Sequence, residues 1–258
     1  MIRGVLLDLS GTIHLGPNPL PGAVAAVSSL EKRGIPVRFV TNTSRRTRET
    51  LYRDLNEMGF SIPAEHIFTA PLAVRRYLEL HGLRPYLLVH PNLFADFQGI
   101  PRENPNAVVV GDAEDDFSYQ KMNEAFRLLK QGAKLLATGR TRYFEGKDGL
   151  ELDAGPYVAA LEYAAQTSAV VLGKPSAEFF LEAAEELGLH PSECVMVGDD
   201  PESDVAAAVR AGLHGILVKT GKYRDGDEKL VGDGGMVASD VVAAIEWVLE
   251  NVAKPIKQ

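Results

Sequence analysis

GVLLDLSGTIHLG, residues 4–16, sets an aspartate where an apolar run meets a glycine turn. Val5, Leu6, Leu7 and Leu9 surround Asp8, and a near-continuous apolar run of this kind marks a strand covered on both faces, as in a parallel sheet. A carboxylate at the end of such a strand loses solvation and calls for a compensating role. Similar runs recur at IPVRFV (35–40), AVVL (169–172), ECVMV (193–197) and GILV (215–218). Amphipathic segments lie between them: GAVAAVSSLEKRG (22–34), SAEFFLEAAEELG (176–188) with Ser176 as its cap and Gly188 as its stop, and SDVAAAVRAG (203–212). The alternation predicts an α/β chain, a doubly wound parallel sheet with covering helices.

Strands of a parallel sheet point one way, so their C-terminal ends share an edge, where open α/β folds place ligands. Asp8 with Ser10-Gly11-Thr12 follows the first run and Thr41-Asn42-Thr43-Ser44 the second. Gly173-Lys174-Pro175 follows the third, Gly198-Asp199-Asp200 with Asp204 the fourth, and Lys219-Thr220-Gly221 the fifth. Grouped carboxylates suit Mg²⁺, which takes oxygen ligands and neutralises phosphate oxygens. A lysine and a hydroxyl can hold the other phosphoryl oxygens, and a carboxylate can act as nucleophile. Asp8, Asp199 and Asp204 read as sharing one divalent cation, without which they would repel one another.

Each group has a plainer reading when taken singly. Asp199 to Asp204 suits the N-terminus of a helix, Lys174 a solvated loop, and Thr43 or Ser44 a cap for the helix in RRTRETLYRDLNEMG. A cap and an anion site are compatible. The joint pattern at one edge decides for function.

DLSGT (8–12), TN (41–42), Lys174 in VLGKPS (171–176) and VGDDPESD (197–204) resemble motifs I to IV of the haloacid dehalogenase superfamily of aspartate-nucleophile hydrolases. The middle of the chain is similar to its NagD-like subgroup, which inserts a large cap between motifs II and III. The resemblance implies a Rossmann-like catalytic core of residues 1–82 and 168–258 with an inserted α/β C2-type cap of residues 83–167. It also implies Asp8 as nucleophile and metal ligand, with the Ser10 carbonyl and Asp199 on Mg²⁺. Asp204 would ligate the metal or orient its waters, and Thr41, Asn42 and Lys174 would hold the phosphoryl group of a small phosphorylated substrate. Related capped enzymes often form homodimers. Ser10 departs from the pattern. Most phosphatases of the superfamily carry there an aspartate that protonates the leaving oxygen and later activates water, whereas P-type ATPases carry a hydroxyl residue. The expected activity is a Mg²⁺-dependent phosphatase favouring good leaving groups: aryl or acyl phosphates, phosphoramidates, pyrophosphate. Two alternatives stay open, a low-turnover binding or regulatory protein and a phosphotransferase.

Bulk properties set outer limits. A net charge of −8 over 258 residues argues against a nucleic-acid partner. The single cysteine, Cys194, excludes an internal disulfide and a multi-cysteine zinc site and reads as a small buried thiol. No run is long enough to span a membrane, and Arg3 and Asp8 come too early for a signal peptide, so a cytoplasmic protein is expected and Asn42-Thr43-Ser44 is read as a chance sequon. GKP at 173–175 has proline where a P-loop needs a hydroxyl. His14 reads as a turn residue and VGDGGMVASD (231–240) as a flexible surface loop. Within the insertion, Arg140, Arg142 and Lys147 form a local positive zone that would suit a second anionic group on the substrate, or is merely a solvated turn.

Overall fold

The computed structural model describes residues 1–146 and 149–252, and for Glu145 and Gly146 the backbone alone, so Lys147 lies outside the described residues. The chain forms two compact units, one of residues 1–41, 49–68 and 174 onward, the other of residues 42–48 and 69–173.

The first unit holds a six-stranded sheet in the order Gly235–Ala238, His214–Val218, Cys194–Gly198, Gly4–Asp8, Val37–Thr41, Ile67–Thr69. Pairing is parallel wherever the register is resolved: Leu7 lies beside Val197 and Phe39, and Val197 beside Ile216. Alternate side chains of the central strands serve opposite faces. Val5, Leu7, Val195, Val197, Ile216 and Val218 join one core cluster with the helices Ala23–Lys32 and Val241–Asn251. Leu6, Met196 and Leu217 are buried on the other face, where the helix Ala177–Glu186 packs against the Gly4–Asp8 strand and Leu217 clusters with Val205 and Val231. Burial on both faces is why these strands read as unbroken apolar runs. The doubly wound α/β architecture is therefore as expected.

The second unit has its own four-stranded parallel sheet, ordered Val170–Val171, Lys134–Ala137, Ala107–Val110, Pro85–Leu88, with a hairpin of Tyr143–Gly146 and Gly149–Leu152. The helices Tyr119–Lys130 and Ala154–Ala165 pack their apolar faces on it. Arg45 ties the 42–48 segment into this unit. Its Nε donates to Asp112 Oδ2 at 2.5 Å, its other nitrogens lie 2.6 Å from Glu114 and 3.5 Å from Glu151, and the guanidinium sits 4.6 Å from the centre of the Phe144 ring.

Four local expectations are corrected. AVVL (169–172) supplies Val170–Val171 to the second sheet, through pairing with Lys134–Ala137, rather than to the core sheet. VGDGGMVASD is not a surface loop throughout, since Gly235–Ala238 is the edge strand of the core sheet and Asp240 caps the following helix through Ala243 N–H, 2.9 Å. The helix after Thr41 starts only at Arg48, which puts Thr47 and not Thr43 or Ser44 in the position before it. Ser176 stands at its helix terminus but donates its hydroxyl to Glu178 at 2.6 Å instead of capping.

Asp112 is buried and its carboxylate is paired with Arg45. Arg45→Met should lower unfolding free energy by roughly 1–3 kcal/mol, and most of that loss should vanish in an Asp112→Asn background. Chemical denaturation of the four proteins measures the coupling, and strictly additive effects would show that the pair does not anchor the segment.

Candidate active site

Register builds the site. Leu7 pairs with Val197, so Asp8 and Gly198 end adjacent strands together and Asp199 stands one residue beyond, at the same edge. Gly198 leaves room for Asp204, because a Cβ there would strike its carboxylate. Asp204 returns to the edge through a wide turn, Pro201–Ala206, in which both Asp204 N–H and Val205 N–H donate to the Asp200 carbonyl, at 3.1 and 3.3 Å. Asp200 itself caps that turn, its Oδ1 accepting from Glu202 N–H at 3.2 Å and Ser203 N–H at 2.9 Å. The acidic run thus divides its labour: Asp200 caps, and Asp199 and Asp204 face the site.

Asp8, Asp199 and Asp204 are all buried, and each offers a ligand atom within 4.8 Å of the others. Lys174 Nζ lies 2.5 Å from Asp8 Oδ1 and 2.6 Å from Asp204 Oδ1. Thr12 Oγ1 is 3.3 Å from both Asp8 Oδ2 and Asp199 Oδ1. Burial pushes the Asp8 carboxyl above its usual range, and the nearby Asp199 charge adds to this, against the pull of Lys174. Burial raises Asp199 likewise, with Asp204 adding to it, and lifts Asp204 to about 6 against the Lys174 ammonium. Burial would strip Lys174 of its proton, but Asp204 and Asp8 outweigh it and hold the ammonium charged. Three carboxylates therefore share one buried ammonium. Hard oxygen donors with unbalanced negative charge fit a divalent cation, and Asp8, Asp199 and Asp204 are the residues that would hold it.

The other expected residues are placed as follows. Ser10 is exposed at the turn after Asp8, where Gly11 N–H donates to the His14 carbonyl at 2.8 Å. Thr41 is buried at the end of its strand in the same unit. Asn42 belongs to the second unit, where a Cβ on Gly173 would press on its side-chain oxygen. His14 is buried with Nδ1 2.9 Å from the Gly16 carbonyl, a turn contact as read from the sequence. Cys194 is buried within its strand and its thiol is pushed up to about 11 by burial, which leaves it unreactive. Arg140 is no free cation: it donates to Glu162 at 2.6 Å.

Sequence reasoning assigned no role to three residues at this edge. The Thr12 hydroxyl bridges two carboxylates, Thr220 Oγ1 donates to the Gly11 carbonyl at 2.6 Å, and Lys222 N–H donates to Asp199 Oδ2 at 2.8 Å. The signal available was positional, since DLSGT and KTGK both follow strands that end at this edge.

The family model for haloacid dehalogenase-like hydrolases matches residues 5–100, and a second model of HAD-hydrolase-like proteins matches residues 171–244. Haloacid dehalogenase-like hydrolase domain-containing protein 2 of Bos taurus is 48% identical over 252 residues, which cover 97% of this chain and 97% of the relative. The chain belongs to the haloacid dehalogenase-like hydrolases. Within that family it is 43% identical to the phospholysine phosphohistidine inorganic pyrophosphate phosphatase of Danio rerio, over 97% of this chain and 95% of that one. Among solved structures of the family, 4-nitrophenylphosphatase of Thermotoga maritima superimposes with a TM-score of 0.85 at 27% identity, covering 95% of this chain and 97% of the other. Glycerol phosphate phosphatase of Mycobacterium tuberculosis, solved in complex with magnesium, gives 0.83 at 25% identity, covering 94% and 76%. This haloacid dehalogenase-like hydrolase is an enzyme of the phosphatase type. No helix among its described residues is long and apolar enough to cross a membrane.

The raised carboxyls fix a sign for pH. A carboxyl with a raised folded pKa keeps its proton where the unfolded chain has lost it, so its ionisation costs stability as pH rises from about 4 through the folded value, about 6 for Asp204. Cation binding needs the ionised form and gains strength over that same window. Thermal stabilisation by Mg²⁺ should be small at about pH 5 and larger at about pH 7.5. Equal shifts at both would show that these three groups do not hold the ion.

Proposed function

We propose that this chain is a Mg²⁺-dependent phosphatase that works through an aspartyl-phosphate on Asp8. The observation that carries the reading is the buried Asp8 carboxylate, 2.5 Å from the Lys174 ammonium and grouped with two further buried carboxylates at one sheet edge. Asp8, Asp199, Asp204 and the Ser10 carbonyl would hold Mg²⁺, which when bound would neutralise charge on the carboxylates and phosphoryl oxygens. Asp204 either ligates the ion or orients its waters. The magnesium complex of the mycobacterial relative supports the choice of ion.

Thr41 and Lys174 orient the phosphoryl group for in-line attack. A carboxylate oxygen of Asp8 bonds to phosphorus as the bond to the leaving group breaks, and the leaving group departs with the electron pair. Water then attacks phosphorus of the acyl phosphate, releasing inorganic phosphate and restoring the Asp8 carboxylate. Lys174 balances charge in both steps. The insertion, residues 83–167, serves as the C2-type cap that selects the substrate, while residues 1–82 and 168–258 carry the chemistry.

Ser10 sets the preference. A serine hydroxyl neither protonates a leaving oxygen well nor activates water well, and positioned acid–base groups are worth roughly 10²–10⁴-fold. Substrates whose leaving group needs little acid help are therefore favoured: aryl and acyl phosphates, phosphoramidates and pyrophosphate. The names of two relatives, one for phospholysine, phosphohistidine and pyrophosphate and one for 4-nitrophenyl phosphate, support that range.

Two experiments test the reading. Asp8→Asn should abolish phosphate release and leave the fold intact, and a rate within about tenfold of wild type would remove Asp8 from the nucleophile's role. Across a series of aryl and alkyl phosphates at fixed Mg²⁺, the wild-type rate should rise steeply as leaving-group pKa falls, and Ser10→Asp should flatten the slope. A flat wild-type slope, with no burst of product to place dephosphorylation as the slow step, would overturn the role given to Ser10.

A further inference from the structure

The turn after the His214–Val218 strand, Lys219-Thr220-Gly221-Lys222, has no role in the function proposed above, yet it makes two contacts at the site and a third on the neighbouring Asp200. Thr220 Oγ1 donates to the Gly11 carbonyl at 2.6 Å, Lys222 N–H donates to Asp199 Oδ2 at 2.8 Å, and Lys222 Nζ donates to Asp200 Oδ2 at 3.0 Å. Between them Gly221 has a φ of +58°, and a Cβ there would strike Asp199 Oδ2 and Gly11 Cα. Gly11, with a φ of +92°, has the same property, since its Cβ would also strike the Asp199 carboxylate. Two glycine turns and one carboxylate thus interlock with no space for a methyl group.

The consequence lies in which oxygen of Asp199 is engaged. Lys222 N–H takes Oδ2, which leaves Oδ1 beside Thr12 Oγ1, and the same hydroxyl lies equally close to Asp8 Oδ2. Rotating Asp199 would break both contacts, and moving Gly11 would displace the turn that carries Ser10 and Thr12. We propose that Thr220, Gly221 and the Lys222 main chain form a positioning strap that fixes the rotation of Asp199 and the place of the Gly11 turn, and so the spacing at which Asp8 and Asp199 hold the divalent cation. The inference rests on the reading of Asp8, Asp199 and Asp204 as a cation site.

Thr220→Val removes the hydroxyl at nearly constant shape, Thr220→Ser keeps it, and Gly221→Ala adds the methyl that has no space. The readouts are thermal stabilisation against Mg²⁺ concentration and the Mg²⁺ dependence of aryl phosphate hydrolysis. Partners that orient metal ligands are typically worth 10–100-fold in affinity, so Thr220→Val and Gly221→Ala should raise half-saturating Mg²⁺ by about that factor in both assays. Activity at saturating Mg²⁺ should fall much less, and Thr220→Ser should restore the wild-type constant. If Gly221→Ala does not fold, the Thr220 pair decides. A lower melting temperature with unchanged half-saturation would make the strap a structural element only and overturn the inference. Absence of any Mg²⁺ effect on wild type would instead remove the cation site, and the strap's purpose with it.

Discussion

Three buried carboxylates around one ammonium is an arrangement that a folded chain does not keep without a reason. Asp8, Asp199 and Asp204 each lose solvation and repel one another, and among the described residues Lys174 is the buried ammonium that faces them, with the more exposed Lys222 adding a weaker pull on Asp8 and Asp199. Solvating the same groups in loops would cost nothing, so the sequence gives up stability to assemble them. On the proposed reading the imbalance is also what makes the site useful, because under-neutralised carboxylates in a dry site attract a divalent cation strongly, and that cation would offset the charge of a phosphoryl group. The rest of the structure supplies the rigidity that holds this charge in place.

That rigidity comes from the parallel sheet and from glycines. Hydrogen-bond register sets Asp8 and Gly198 side by side to within one residue, and no side chain choice can shift it without turning the apolar faces of both strands outward. The glycines then remove the last obstacle to close approach. At Gly11, Gly198 and Gly221 a single methyl group would occupy the space now filled by a carboxylate. Position 11 and position 221 also require a positive φ, so glycine there serves backbone and packing at once.

The central strands of the core and three motif-bearing strand ends, at Asp8, Thr41 and Gly198, were legible because burial on both faces writes a strand into sequence as an apolar run and leaves chemistry only at its end. The same logic misplaced Val170–Val171. A two-residue strand carries no information about which sheet it joins, and that choice is made by pairing with Lys134–Ala137, far away in sequence. Gly235–Ala238 was missed for the opposite reason: as an edge strand flanked by glycines it has loop composition, and only the neighbouring strand His214–Val218 makes it regular. Arg140 read as a free positive charge because its partner, Glu162, lies a helix away. Roles carried by main-chain N–H groups, such as that of Lys222 on Asp199, leave no mark on residue type at all.

Under the proposed function selectivity would have two separable sources, and Ser10 would decide how they divide. Where a carboxylic acid follows the nucleophile, the core itself can protonate any leaving oxygen, and discrimination must come from shape. Here the exposed residue at that position is a hydroxyl, and the ionisable groups acting on Asp8 are carboxylates, the Lys174 ammonium held by two of them, and the Lys222 ammonium held by Asp200. Lys174 is a poor proton donor for the same reason that it is a good charge balance: Asp8 and Asp204 stabilise its proton. On the proposed reading a leaving group would depart without a proton from the protein, so the core would sort substrates by the chemistry of the bond to phosphorus and leave shape and charge to the proposed cap. On that reading, one catalytic centre would accept P–O, P–N and P–O–P bonds alike, provided the departing group is stable without a proton from the protein.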